Sequence, residues 1–349
     1  MNIDVDVIIV GQGIAGTCMA FHLIQNNKSF IIIDEYQPNT SSRVALGVYN
    51  PLILKWFTSP WEIDSQINYF YYFYNKLNKF LDENLFQDTG LYKFLKTPYD
   101  QNNWLTKSVA KKQSRYMSSN LHTIDNPALK KNQYYGLINK AGRLDVGLLL
   151  NTFRNYCISS NTIIQEQFNY KKILFQQDGV RYKNIHGKKI IFCEGFGVTK
   201  NPYFNNLNLK PTKGEFLIIH SKRLNLQQII HLGFLVIPLA DDCYAVGATY
   251  NWKDINQNCT MSARDKIIST LKNTIKVSYD IVEQKCGIRP STVDRRGIVG
   301  VHPNHKDMYI MNGLGTRGVL LAPYLSNLLY ASIYLNSIIP AEVNLDRLQ

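Results

Sequence analysis

Two hydrophobic rhythms divide the chain. Short, almost uninterrupted apolar runs stand at "VDVIIV" (5–10) and "SFIIID" (29–34), as expected of strands buried on both faces of a parallel sheet. Between them, "TCMAFHLIQNN" (17–27) has helical spacing, with His22 and Cys18 read as packing or surface positions. The aromatic stretch "SQINYFYYFYNKLNKFL" (65–81) and "AGRLDVGLLLNTFRNYC" (141–157) also predict helices. Strands are expected at 162–170, at 171–182 with a turn at Asp178-Gly179, and at 188–197, where an apolar run ends in Glu-Gly. "GEFLIIHS", "GFLVIPL" and "CYAVGATYNW", within 214–252, predict antiparallel strands of a second domain. An amphipathic helix is expected over 262–279, with Ser262 as its N-cap. Near the end, "MNGLGTRGVLLAPYLSNLL" (311–329) has the layout of a glycine-rich loop handing over to a helix N-terminus.

Composition narrows the class. With 45% hydrophobic and 19% charged residues over 349 positions, the chain reads as a globular protein of two domains. No apolar run is expected to span a bilayer, and "MNIDVDVIIV" lacks the basic start of a signal peptide, so a cytoplasmic protein without a membrane partner is expected. The six cysteines are scattered without a Cys-x-x-Cys pair, which predicts buried reduced thiols and no metal site. Lys and Arg exceed Asp and Glu by 39 − 26 = 13. Such a balance suits a polyanion such as RNA, but the Lys-, Asn-, Ile- and Tyr-rich composition is the preferred explanation, since net charge alone is not a binding site.

The chemistry is announced at residues 4–35. Gly11, Gly13 and Gly16 form G-x-G-x-x-G directly behind the first strand, and Asp34 ends the second, 18 residues after Gly16. Gly11 permits the tight turn, Gly13 lets the backbone approach a pyrophosphate, and Gly16 lets helix and strand pack closely. Asp34 is placed to accept hydrogen bonds from an adenosine ribose and disfavours a 2′-phosphate, leaving NAD or FAD. A nicotinamide dehydrogenase would continue in βαβ units. Here a long loop follows (36–56) with Ser41, Ser42, Arg43, Gly47 and Pro51, which suits an extended diphosphate and a ring beyond it.

The whole chain resembles the D-amino-acid oxidase family of FAD-dependent oxidoreductases, which includes glycine and sarcosine oxidases. The resemblance rests on the Gly11–Asp34 fingerprint, "ALGVYNPL" (45–52), "GRLDVGLLL" (142–150), "IIFCEG" (190–195), "YAVGATY" (244–250), "CGIRPSTVDRRGIVGVHP" (286–303) and "MYIMNGLGTRGVLLAP" (308–323). "GVYNPL" and "GLGTRG" look most like the C-terminal oxidase domain of the bifunctional enzyme that makes 5-methylaminomethyl-2-thiouridine in tRNA. These 349 residues carry no counterpart of that enzyme's methyltransferase half.

The resemblance implies an α/β fold. A Rossmann-like FAD domain (1–55, 140–205, 287–349) is interleaved with a substrate domain on a largely antiparallel mixed sheet (56–139, 206–286). It adds Ile14, Ala15, Glu35, Ala45, Phe168, Cys193 and Gly195 to the residues expected at the cofactor. The C-terminal loop is expected to return to the flavin's pyrimidine end, with Gly313, Gly315, Thr316, Arg317 and Gly318 beside it. Arg289, in "GIRP", matches the position that clamps a substrate carboxylate, as a guanidinium fork does well; Thr316 and Arg317 are further catalytic candidates. The implied reaction is hydride transfer from a C–N carbon to flavin N5, hydrolysis of the imine, and reoxidation by dioxygen or another acceptor. Leu235 stands where glycine oxidase-like relatives place a tyrosine, and the last-loop arginine falls on Arg317 instead of Thr316. These departures leave two substrates open, a small amine or amino acid and the carboxymethylaminomethyl group of a tRNA wobble uridine. A flavoprotein hydroxylase or a non-catalytic FAD binder is the alternative of another class.

Overall fold

The computed structural model describes residues 2–130 and 133–348, so the outermost residues of the expected FAD domain, Met1 and Gln349, lie outside the described residues. The chain begins with β1 (Ile3–Val10), α1 (Ile14–Gln25), β2 (Phe30–Ile33), β3 (Val48–Tyr49), α2 (Ile63–Leu81), β4 (Phe86–Gln87), β5 (Leu91–Phe94) and α3 (Pro98–Ser108). It continues with β6 (Met117–His122), β7 (Tyr135–Ile138), β8 (Gly142–Leu144), α4 (Val146–Ser159), β9 (Ile163–Ile164), β10 (Ile173–Gln176), β11 (Gly179–Tyr182) and β12 (Ile185–Phe192). The last part holds β13 (Thr212–His220), β14 (Ile229–His231), β15 (Leu235–Pro238), β16 (Cys243–Gly247), α5 (Met261–Thr274), β17 (Asp280–Arg289), β18 (Ile298–His302), β19 (His305–Asn312) and α6 (Gly318–Leu335).

The strands fall into two large sheets and a small one. The first runs β10-β11-β12-β1-β2-β9, with β19 parallel to the far half of β12 and β18 antiparallel to β19. Its centre, β12-β1-β2-β9, is parallel, and β2 is buried at every position, as its unbroken apolar run requires. The second runs β17-β13-β16-β15-β14-β5-β7-β6 and is antiparallel except at β14-β5. β17 carries this sheet to Arg289, where the chain leaves it. β3, β8 and β4 form a small third sheet.

Helices α1, α2 and α6 share one apolar core. α1 is buried from Ile14 to Leu23, and Phe21 meets Phe73 of α2 edge-on. α6 is long and apolar enough to cross a membrane by length and composition, a stretch the sequence reading passed over. In this fold its Val319, Leu320, Ala322, Leu325 and Leu329 are buried in the core that contains α1 and α2.

Several expected elements differ in extent. The strand expected at 162–170 is only Ile163–Ile164, because Gln165 and Glu166 turn to bond Arg154 and Lys183. The helix expected at 141–157 starts only at Val146; Gly142–Leu144 pair with β3, and the Asp145 side chain caps the helix through Leu148 N–H. α5 starts one residue earlier than expected and is capped by Thr260, not Ser262, because Thr260 accepts from Ala263 N–H and donates to Glu215. The thiols are free, but only Cys18, Cys157, Cys193 and Cys286 are buried; Cys243 is half-buried and Cys259 exposed.

Candidate active site

A cavity of about 640 Å³ runs from the end of β2 across the start of α1 to the start of α6 and the near edge of the second sheet. That size suits a cofactor with room for a small substrate. Its lining explains the glycines. A Cβ on Gly11 would stand 2.6 Å from the Cys193 carbonyl, and one on Gly16 would stand 1.9 Å from the Gly11 carbonyl. Gly11 also holds a left-handed φ of +99°. Gly16 therefore packs the turn and lies outside the lining, whereas Gly11, Gly13, Ile14 and Ala15 face the cavity. Ser42 from the long loop accepts the Ile14 N–H at 3.1 Å and ties that loop to the helix start.

Asp34 lines the cavity, but its carboxylate is already held. One oxygen accepts the Gln12 N–H at 2.8 Å and the other accepts Arg154 Nη1 at 2.7 Å. Buried Gln12 accepts in turn from Arg154 and Arg43, and its amide donates to the Leu150 carbonyl. This network fixes Asp34 while leaving lone pairs for ribose hydroxyls. Glu35, Ser41, Ser42, Arg43, Ala45 and Gly47 line the same trough. Arg43 lies over the Tyr36 ring at 4.3 Å, and burial lowers its pKa from the ordinary arginine value. The lining thus offers bare backbone at a helix start, a guanidinium and a fixed acid, the donor set an adenine dinucleotide needs.

At the return of β12, Cys193, Glu194 and Gly195 face the cavity, and Asn312 donates to the Gly195 carbonyl at 2.9 Å. Burial raises the Glu194 carboxyl to about 6, against hydrogen bonds from Tyr170 and Asn201 that lower it. Phe168 is not in this lining. It stacks on Tyr182 at 4.4 Å and meets Phe192 edge-on, because the apolar layer on that side of the first sheet takes its ring.

At the other end, Leu314, Gly315, Thr316, Gly318 and Val319 line the cavity where α6 begins. Gly313 and Gly315 adopt left-handed φ values of +70° and +53°, which turn the chain from β19 into the helix. Gly313 serves the turn and is not in the lining. Arg317, expected as catalytic, also lies outside it; its Nη2 donates to the Asn50 carbonyl at 3.2 Å. Its Nε is buried without a hydrogen-bond partner, and burial pushes the guanidinium down to about 10. Arg317 therefore pins the long loop to the α6 N-terminus.

Arg289 ends β17 at the cavity wall. Its Nη1 donates to the Thr249 carbonyl at 3.3 Å, and its guanidinium lies 4.8 Å from the Tyr250 ring centroid. It passes over Gly214, where a Cβ would stand 2.1–2.4 Å from guanidinium atoms. Burial lowers its pKa from the ordinary arginine value, with Tyr250 opposing, and no carboxylate of the described residues pairs with it. Around it Phe216, Leu235, Ala248 and Ile288 are apolar, and Gln257 and Asn256 complete the rim. Sequence reading missed Gln12, Arg154, Tyr250 and Asn256. Gln12, Arg154 and Tyr250 lie inside segments quoted above, the glycine fingerprint, 141–157 and "YAVGATY", and only Asn256 lies outside all of them.

Residues 6–331 match the family described as FAD dependent oxidoreductase, abbreviated DAO. The chain belongs to this family. It is an FAD-dependent oxidoreductase. The chain is 22% identical over 96% of its length to a tRNA 5-methylaminomethyl-2-thiouridine biosynthesis bifunctional protein from Leptospira interrogans, and spans 58% of that relative. It is 26% identical to a glycine oxidase from Bacillus licheniformis over 36% of each. Among solved structures, the iminodiacetate oxidase of Chelativorans sp. BNC1 shares the fold, with a TM-score of 0.77, 20% identity and 98% of both chains covered. A Bacillus cereus glycine oxidase gives 0.78 at 17% identity over 96% of both.

Proposed function

We propose that the protein oxidises a C–N bond of an amine that carries a carboxylate, of the glycine type. The observation that carries this reading is Arg289, a desolvated guanidinium on the cavity wall without a carboxylate partner among the described residues. A substrate carboxylate supplies the missing charge and fits the fork. Thr249 and Tyr250 hold that fork in place, and the bare Gly214 gives it room. Phe216, Leu235 and Ala248 exclude water and favour the neutral amine over its ammonium form. When bound, FAD accepts the hydride from the carbon beside the nitrogen. The substrate imine then takes up water and breaks into a carbonyl compound and an amine. Dioxygen is the acceptor this reading assigns for the electrons.

A second reading keeps this chemistry and places the amine on a carboxymethylaminomethyl-uridine of tRNA. The Leptospira relative and the net charge of +13 favour it.

The reaction class is tested by trapping the product after one anaerobic turnover with N-methylglycine. One equivalent of aldehyde or glyoxylate per reduced flavin is expected. Reduced flavin without any carbonyl compound refutes C–N oxidation.

A further inference from the structure

The mouth of the cavity carries a pair of rings that the reading above does not use. Tyr250 lines the cavity and is 54% exposed; Trp252, two residues on, is 52% exposed. Their centroids lie 6.1 Å apart with planes 24° from parallel, so the two exposed rings stack on one another and leave an aromatic face at the surface. Arg289 backs the Tyr250 ring from inside at 4.8 Å. The segment is held rigid beneath: Lys213 and Asn251 exchange both backbone hydrogen bonds, and the Asn251 side chain caps the N–H groups of Lys253 and Asp254.

The loops around this face are basic. Lys200, on the lining, and Lys210 and Lys253 are exposed. Lys210 is tied through its N–H to the Ser291 carbonyl, beside Pro290 of the lining. Two acids of the neighbouring loops are occupied, Asp254 by Lys213 at 2.9 Å and Asp294 by Arg347 at 3.0 Å. Exposed aromatic rings among uncompensated cations are the physical basis of single-stranded nucleic-acid binding, in which each base stacks on a ring and the cations meet phosphate.

We propose that Tyr250 and Trp252 form a stacking platform for an unpaired RNA base, whose glycine-type side arm reaches inward to Arg289. This rests on the reading of Arg289 as the carboxylate fork and assigns the substrate class to the second reading.

The test uses the FAD-loaded protein and two probes, 5-carboxymethylaminomethyluridine and an anticodon stem-loop carrying it at the wobble position. Binding is followed by calorimetry and flavin reduction by absorbance. In Trp252→Ala, affinity for both probes is expected to fall about tenfold, and Trp252→Phe is expected to recover most of it. Trp56→Ala, which removes an exposed indole outside the cavity lining, is the control. Selectivity for the nucleoside over N-methylglycine is expected to drop by the same factor. Tighter, salt-dependent binding of the stem-loop identifies RNA as the source of the base; equal binding of the two probes overturns RNA. Unchanged affinity in Trp252→Ala, or no binding of either probe to the wild type, overturns the platform. Platform-dependent binding without flavin reduction by any glycine-type amine refutes the reaction and leaves the platform standing.

Discussion

Arg289 concentrates the argument at the scale of single residues. Its fork is desolvated, backed by Tyr250 and unpaired by any carboxylate of the described residues. Arg289→Lys keeps a cation but loses the planar fork, and kcat/KM for a glycine-type amine is expected to fall on the order of a hundredfold, mostly through KM. Steady-state kinetics check this. Glu194 gives a pH prediction: its carboxyl is raised to about 6 by burial from an ordinary value of 4.5. The folded state therefore holds a proton that the unfolded state has lost. Its contribution to stability falls as pH rises from about 4.5 to 6 and is flat above that, by on the order of 2 kcal/mol. Denaturant melts of Glu194→Gln between pH 4 and 7 are expected to lose that part of the slope. Arg317 shows what sequence does not reveal. Its place in "GLGTRG" is legible, but its direction depends on the Asn50 carbonyl, 267 residues away in sequence.

At the scale of elements, the buried parallel strands and the helices α1, α2 and α6 were legible because their periodicity is set by burial on both faces or one. Their ends were not. The residues that stop β9 or start α5 do so through side-chain bonds to Lys183 and Glu215, which periodicity does not encode. The two glycine contacts give opposite predictions. Gly16→Ala drives a Cβ into the Gly11 carbonyl, so a loss of stability on the order of 1–3 kcal/mol and poor FAD retention are expected. Gly214→Ala displaces only the Arg289 guanidinium, so FAD content is expected to survive while KM for the amine rises severalfold. Flavin absorbance per protein and thermal melts separate the two cases.

At the scale of the whole molecule, the glycine-turn end and the Arg289 wall of the cavity belong to different sheets brought together by chain crossings. β1 and β2 end at the glycine turn and Asp34 on the cavity, β12 and β19 return beside them, and β17 delivers Arg289 to the same cavity. The fingerprint at one end of the sequence and the glycine loop at the other were readable separately. The Gln12–Arg154–Asp34 network was not, since it joins residues 142 and 120 positions apart. The central claim is that this cavity oxidises an amine held by its carboxylate. The most direct test is the visible spectrum of the FAD-loaded protein, held anaerobically while N-methylglycine, 5-carboxymethylaminomethyluridine and dimethylamine are added in turn. Bleaching of the flavin band by at least one of the two carboxylate-bearing amines, and not by dimethylamine, is the predicted result. A band that no carboxylate-bearing amine bleaches, or that dimethylamine bleaches equally well, contradicts the account.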